Sequence, residues 1–358
     1  MFGNEICILR FGNLYGKLLI ESKTPCWRGV NRMEKFQHTL KKKVRIAGVG
    51  LHSGRRVTLN VLPAPENSGI RFIRKNDAGQ PVRISAFLAN ITDTRLATTI
   101  GAEKVSVSTV EHLLAAFAGL EIDNAVIEID EAEVPILDGS AALFVDVLQK
   151  AQRVRQRSHR RMIRINKEIN FVDGDKSVTV LPYDGFRVTC EIDFPHEIIK
   201  KQKYSVRISP KLFVEQIAPA RTFGFLEEIE TLRQNGLALG GSLENAVVVS
   251  RFGGVLNEEG LRFADEFVRH KALDLMGDLA LLGCPVLGHV VARKAGHKQH
   301  FRFMQELARA TDAWEYVSLQ SKGAEKISTR LLQTSGRPRP GIWPFLLPRP
   351  LAGETCSL

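Results

Sequence analysis

No CxxC pair occurs among the five cysteines of this 358-residue chain, Cys7, Cys26, Cys190, Cys284 and Cys356. Scattered and odd in number, they argue against a disulfide framework and against a Cys-ligated zinc site, and they suit a reducing compartment. No apolar run reaches the ~20 residues of a membrane-spanning helix. The N-terminus offers no apolar core followed by a small-residue cleavage site, so no secretory signal is expected and the chain reads as cytoplasmic. A phosphate loop is missing as well: the Gly240–Gly241 pair has neither a following Lys-Ser/Thr nor GxGxxG spacing.

The net charge of +11 invites a nucleic-acid reading, but its distribution opposes one. Residues 1–45 hold ten Lys/Arg against three acids, residues 150–167 eight against none, and residues 321–358 six against two. What remains is net acidic. Solvated tails and a linker explain this better than a folded basic groove, so no nucleic-acid partner is expected. A chain of this length has room for two domains, and the basic stretch is their natural boundary. The expected organisation is an irregular extension over 1–33, a first domain over 34–155 and a second over 156–320. A Pro-rich, disordered tail over 321–358 holds five of the fifteen prolines.

Strands are expected within 39–63, where glycines 48, 50 and 54 suggest a tight turn around His52. His52 reads as structural, with a place at a site rim as the alternative. Residues 106–119 form a helix pattern. Ser108 and Glu111 fit a capping box, Val110, Leu113, Leu114 and Phe117 make its buried face, and His112 points away from that face. A strand over 123–130 and a helix over 142–151 follow. The second half repeats the plan, with strands near 162–171, 177–181, 186–194 and 204–208, a helix over 226–235, a strand over 286–292 and a last helix over 301–309.

Between those last helices lies FVRHKALDLMGDLALLG, residues 267–283. At 100° per residue Val268, Leu275, Leu279 and Leu282 fall on one arc, and His270, Asp274 and Asp278 form a stripe beside it at i, i+4 and i+8. Imidazole and carboxylate one turn apart can grip a single divalent metal. The alternative is a solvated polar face with a chance histidine. The helix lacks a third ligand, a base and an acid, which other segments must supply.

Eight strings in order resemble one family: GVGLHSG (48–54), DTRLATT (93–99), STVEHLLAAFAGLEIDNAVIEI (108–129), EVPILDGSA (133–141), ARTFGF (220–225), LALGGSLENAVVV (237–249), LRFADEFVRHKALDLMGDLALLG (261–283) and AGH (295–297). From about residue 36 to 317 the chain is similar to the zinc-dependent UDP-3-O-acyl-N-acetylglucosamine deacetylases of lipid A biosynthesis. The resemblance implies an α+β fold of two similar domains, each a small sheet with packed helices, joined as a sheet–helices–sheet sandwich with one insert per domain. It implies one catalytic Zn2+ held by His112, His270 and Asp274, with Glu111 as general base, His297 as catalytic histidine, Asp278 as its orienting carboxylate and Thr222 helping to hold the oxyanion. Phe223 and Lys271 are implied at the substrate. Leu226, Ile229, Leu232 and Ala238 would line an acyl passage in the second insert, with a plain core role as the alternative. The implied substrate is a UDP-sugar lipid and the implied enzyme a monomer. The likeness departs after His297, where Lys298–Gln299–His300 replace small and amide residues. Three rivals are a zinc amidohydrolase for another acylated sugar, a basic nucleic-acid-binding protein and an inactive homologue, and the filled catalytic positions count against the third.

Overall fold

The computed structural model describes residues 33–251, 254–320 and 323–326. Its first half contains strands β1 (Phe36–Leu40), β2 (Val44–Val49), β3 (Arg56–Pro63), β4 (Ile70–Lys75), β5 (Pro81–Ser85), β6 (Ile91–Asp93), β7 (Thr99–Ala102), β8 (Val105–Val107) and β9 (Ala125–Ile129), with helices α1 (Glu111–Gly119) and α2 (Ala142–Ala151). Strands β2-β3-β9-β4-β5 make one five-stranded sheet, antiparallel except for the β4–β9 pair. In β3, Val57, Leu59 and Val61 are buried while their neighbours are not, the alternation of a sheet with one face on a core. Strands β6-β7-β8 form a separate small sheet, the first insert.

The second half runs β10 (Arg153–His159), β11 (Arg161–Ile165), β12 (Ile169–Asp173), β13 (Lys176–Leu181), β14 (Phe186–Asp193) and β15 (Lys201–Arg207). A short α3 (Pro210–Leu212), β16 (Phe223–Phe225), α4 (Leu226–Gln234), β17 (Val247–Ser250), β18 (Gly254–Val255) and α5 (Glu266–Ala280) follow. Last come β19 (Val286–Arg293), α6 (His297–Arg309), β20 (Trp314–Gln320) and β21 (Gly323–Lys326). Strand β19 organises the larger, eight-stranded sheet. It pairs antiparallel with β13 on one side, and on the other parallel with β11 and then with β14. Strands β16-β17-β18 with α4 are the second insert. The architecture is the expected α+β arrangement, two sheets enclosing helices, with α1 and α5 packed together between them.

Both central helices are buried nearly all round, their ionisable residues included, as fits helices covered on every side. In α1 only Ala118 is less than buried, so His112 has no exposed face to point from. The contact with α5 passes through Gly277, where a Cβ would lie 2.0 Å from the Glu111 carbonyl oxygen and 2.6 Å from its carbon. Gly277→Ala therefore has to push backbone from backbone. Overpacking of this kind costs about 1–3 kcal/mol, and the displaced segment carries Glu111 and His112. We expect both a lower melting temperature and a fall in turnover of about 10²-fold, the usual effect of a misplacement near 1 Å. Unchanged melting and turnover would show that the helices do not meet as described.

Several expectations need correction. Residues 150–167 are not a linker. They form the end of α2, then β10, paired with β1, and β11, inside the large sheet. The boundary expected between 155 and 156 falls inside β10. Several of the basic side chains find acids from elsewhere in the chain: Arg160, 4% exposed, binds Asp123 at 2.6 Å and Glu121 at 3.0 Å, and Arg153 binds Glu34 and Glu121. The expected strand 162–171 is two strands, and α6 begins at His297 rather than at 301. No capping box opens α1, because Ser108 donates to the Ala132 carbonyl and Glu111 turns inward to accept from Thr98 N–H. Of the expected tail, Gly323–Lys326 pair with β20. Residues 1–32 and 327–358 lie outside the described residues. No helix among the described residues is long and apolar enough to cross a membrane.

Candidate metal centre and active site

Helix α5 supplies His270 and Asp274, one turn apart, and the first turn of α1 supplies His112. The three are 2%, 2% and 4% exposed, so the solvated-face alternative is excluded. Asp274 Oδ1 lies 3.3 Å from His270 Nε2 and 3.5 Å from His112 Nε2. The two imidazoles meet edge-on with ring centres 4.9 Å apart. Zinc bonds of about 2.0–2.1 Å in a tetrahedron place neighbouring ligand atoms about 3.3 Å apart, so these donors are spaced to share one ion. His270 Nδ1–H donates to the Ala220 carbonyl at 3.1 Å, which turns Nε2 toward the other two donors. Burial lowers the His270 pKa to about 3, partly opposed by Asp274, so the ring is neutral, as a ligand must be. The Asp274 carboxyl is held well below its ordinary value: burial opposes this, but the Lys271 ammonium and a hydrogen bond from His112 outweigh it.

Lys271 Nζ reaches Asp274 Oδ2 at 2.8 Å and lies 5.5 Å from the Phe223 ring centre. Its nearest partner is thus the carboxylate itself. Phe223 stands edge-on to Phe267 and to His270. Thr222 follows the buried Arg221, whose N–H and Nε each donate to Glu266 Oε1 at 2.9 Å. That ion pair fastens the 220–223 segment to the start of α5. Thr222 N–H donates to the Gly139 carbonyl and its own carbonyl accepts from Val247, so the residue is fixed from both sides.

Glu111 is 3% exposed and adjoins His112. Its pKa is raised: burial is the main cause, and Asp278 and Asp274 add to it against the pull of His297 and His112. Asp278 occupies the same stripe of α5 but belongs to a second cluster. Its Oδ2 accepts from His297 Nδ1 at 2.8 Å and from His300 Nδ1 at 2.7 Å, and its Oδ1 accepts from the Thr98 hydroxyl at 2.5 Å. Burial works against the ionised carboxyl, but the two histidines hold its pKa down at about 2. For His297 burial disfavours the charged ring, and Asp278, followed by Glu111 and Asp274, raises its pKa to about 9 despite that.

Of the residues assigned from the sequence to metal or catalysis, His112, His270 and Asp274 fall in one cluster and Asp278 and His297 in a second, Glu111 adjoins them beside His112 and accepts from Thr98 N–H, and Thr222 sits on the segment whose Ala220 carbonyl holds His270. The four residues assigned to a passage lie elsewhere, on α4 and the loop after it. No residue of α4 is buried, and Leu226 is 44% exposed, so the core alternative fails for Leu226, Ile229 and Leu232, and Ala238 is only half-buried. Thr98 and His300 carried no assigned role. Thr98 lay inside DTRLATT, where nothing distinguishes a loop threonine. His300 carried a signal, its i, i+3 spacing from His297. The changed residues after His297 are accounted for locally. Gln299 Oε1 accepts from Gly296 N–H at the start of α6, Gln299 Nε2 donates to Asp173, and His300 turns to Asp278.

Residues 37–309 match the family model described as UDP-3-O-acyl N-acetylglycosamine deacetylase. A protein of Saccharophagus degradans named UDP-3-O-acyl-N-acetylglucosamine deacetylase is 49% identical over 294 residues, covering 82% of this chain and 96% of that protein. One of the same name from Methylococcus capsulatus is 49% identical over 303 residues, 84% of this chain and 99% of that protein. Another from Myxococcus xanthus is 46% identical over 289 residues, 81% and 91%.

Proposed function

The chain belongs to the UDP-3-O-acyl-N-acetylglucosamine deacetylase family, and we propose that it hydrolyses the N-acetyl group of UDP-3-O-(3-hydroxyacyl)-N-acetylglucosamine with one zinc ion held by His112, His270 and Asp274. The products are acetate and UDP-3-O-acyl-glucosamine, in an early step of lipid A biosynthesis. The observation that carries this reading is the pairing of two clusters with opposed protonation preferences. A buried triad of metal-ligand spacing adjoins Glu111, and a raised histidine stands on Asp278.

A zinc ion at that triad would polarise the acetyl carbonyl and lower the pKa of a water toward about 7. Glu111 takes the proton of the attacking water, a task suited to a carboxylate whose basicity burial has increased. The Thr222 hydroxyl donates to the oxygen on which charge develops, and one such donor is typically worth about 10²–10³ in rate. His297, protonated and held through Nδ1, gives the Nε2 proton to the departing sugar amine. Lys271 keeps Asp274 ionised and, with Phe223, borders the substrate. Leu226, Ile229, Leu232 and Ala238 flank the acyl chain along the exposed second insert. The unpaired Cys190 and Cys284 thiols suit a cytoplasmic enzyme.

Acetate release from a panel of acylated sugars tests the assignment. Fast release from the UDP-linked 3-O-acyl substrate, with little from UDP-N-acetylglucosamine lacking the acyl chain, is the expected result. Equal or faster release from an acylated sugar without UDP would transfer the assignment to another amidohydrolase activity.

A further inference from the structure

Three donors converge on Asp278, and only one of them, His297, has a part in the reaction as read above. The carboxylate is 1% exposed, so it cannot turn to water. An ionised carboxylate only accepts hydrogen bonds, so both histidine Nδ1 atoms must carry protons. The torsion that orients a carboxylate is broad and roughly two-fold, so the position of the α5 backbone does not by itself fix where Oδ2 points. Donors on both oxygens do. Thr98 closes Oδ1 at 2.5 Å, and His300 closes the second side of Oδ2 at 2.7 Å.

Each of these donors is itself fixed. Thr98 is 1% exposed, its N–H donates to Glu111 Oε2 at 3.1 Å, and its carbonyl accepts from Val110 at 3.3 Å. One residue thus binds the base through its backbone and the acid's carboxylate through its side chain. Its hydroxyl oxygen also lies 3.3 Å from His297 Nδ1. His300 is 1% exposed and one turn beyond His297 on α6, the two rings meeting edge-on with centres 6.2 Å apart. Its N–H is tied to the Gly296 carbonyl at 3.0 Å.

We propose that Thr98 and His300 are positioning residues, which together lock the Asp278 carboxylate so that Oδ2 holds His297 Nδ1 in a single orientation for proton transfer. This rests on the reading of His297 as proton donor. Neither residue touches the substrate, so the loss of either should appear in turnover and not in substrate binding.

The test uses the zinc-loaded full chain. Thr98→Val and His300→Leu keep approximate shape and remove the donor; Thr98→Ser and His300→Gln keep one. The first pair should lower kcat about 10- to 100-fold, with KM and zinc content within about twofold of the unsubstituted chain, and the second pair should recover most of the loss. Proton NMR of the unsubstituted, zinc-loaded chain, with labelled histidine, should show hydrogen-bonded Nδ1–H signals from His297 and His300 beside that of His270, and His300→Leu should remove its own and shift that of His297. Unchanged kcat in Thr98→Val and His300→Leu, with His297→Ala inactive, would overturn the proposal and leave the donor reading intact. So would an equal loss in Thr98→Ser and Thr98→Val, or an unbonded His300 Nδ1, which can be read even if a variant fails to fold. An active His297→Ala would overturn the donor reading and the proposal with it.

Discussion

Replacing Glu111 by Gln is expected to cut acetate release by about 10²–10⁴-fold, the span of a positioned general base, while the variant retains one metal ion per chain. The substitution keeps size and hydrogen-bonding shape, since an amide oxygen can still accept from Thr98 N–H as Oε2 does at 3.1 Å. It removes only the capacity to take a proton. Metal content should hold, because the three donors within 4.8 Å of one another do not include Glu111. Steady-state kinetics with metal analysis on the same preparation reads both quantities. Turnover within tenfold of the unsubstituted chain would remove Glu111 from the role of base. Loss of the metal would make it a ligand instead.

His297→Gln should lose a similar factor, and its partner gives the prediction a sign in pH. A proton donor works only while protonated, so activity is present below its pKa and lost as pH rises through it. Asp278 and the neighbouring acids raise that value to about 9, and a cation at the adjacent triad pulls it back. The alkaline limb of kcat/KM should therefore fall between the ordinary histidine value of about 6.5 and about 9. Asp278→Asn deletes the main charge holding the ring protonated, so its limb must move to lower pH. A pH profile of the unsubstituted chain and of Asp278→Asn checks this, and a limb that stays in place or moves upward would contradict the role given to Asp278.

The pairing of His270 with Asp274 was readable from spacing alone, because i and i+4 on a helix fix neighbours whatever the rest of the chain does. His270 and Asp274 were legible in that way. His112 and His297 were not, since they reach the same place from α1 and α6, and only the resemblance to a family joined them to α5. Thr98 was invisible for a related reason: its importance lies in a meeting with Asp278 across 180 residues of sequence. Charge was misread where its partners are distant. The run at 150–167 has no acid within it, yet Arg160 is buried on Glu121 and Asp123 and Ser158 bonds Glu66. The capping-box reading failed because Glu111 was drawn inward by the site, a case of function overriding a local preference.

A single buried metal site beside an opposed base and acid is tested most directly by metal removal and return. Stripping the chain with a chelator should remove one zinc per molecule and abolish acetate release, and one equivalent of zinc should restore it. Asp274→Ala, lacking the carboxylate that faces both imidazoles, should neither retain the ion nor recover on its return. Full turnover by the metal-free chain, or a full equivalent of zinc bound by Asp274→Ala, would contradict the site.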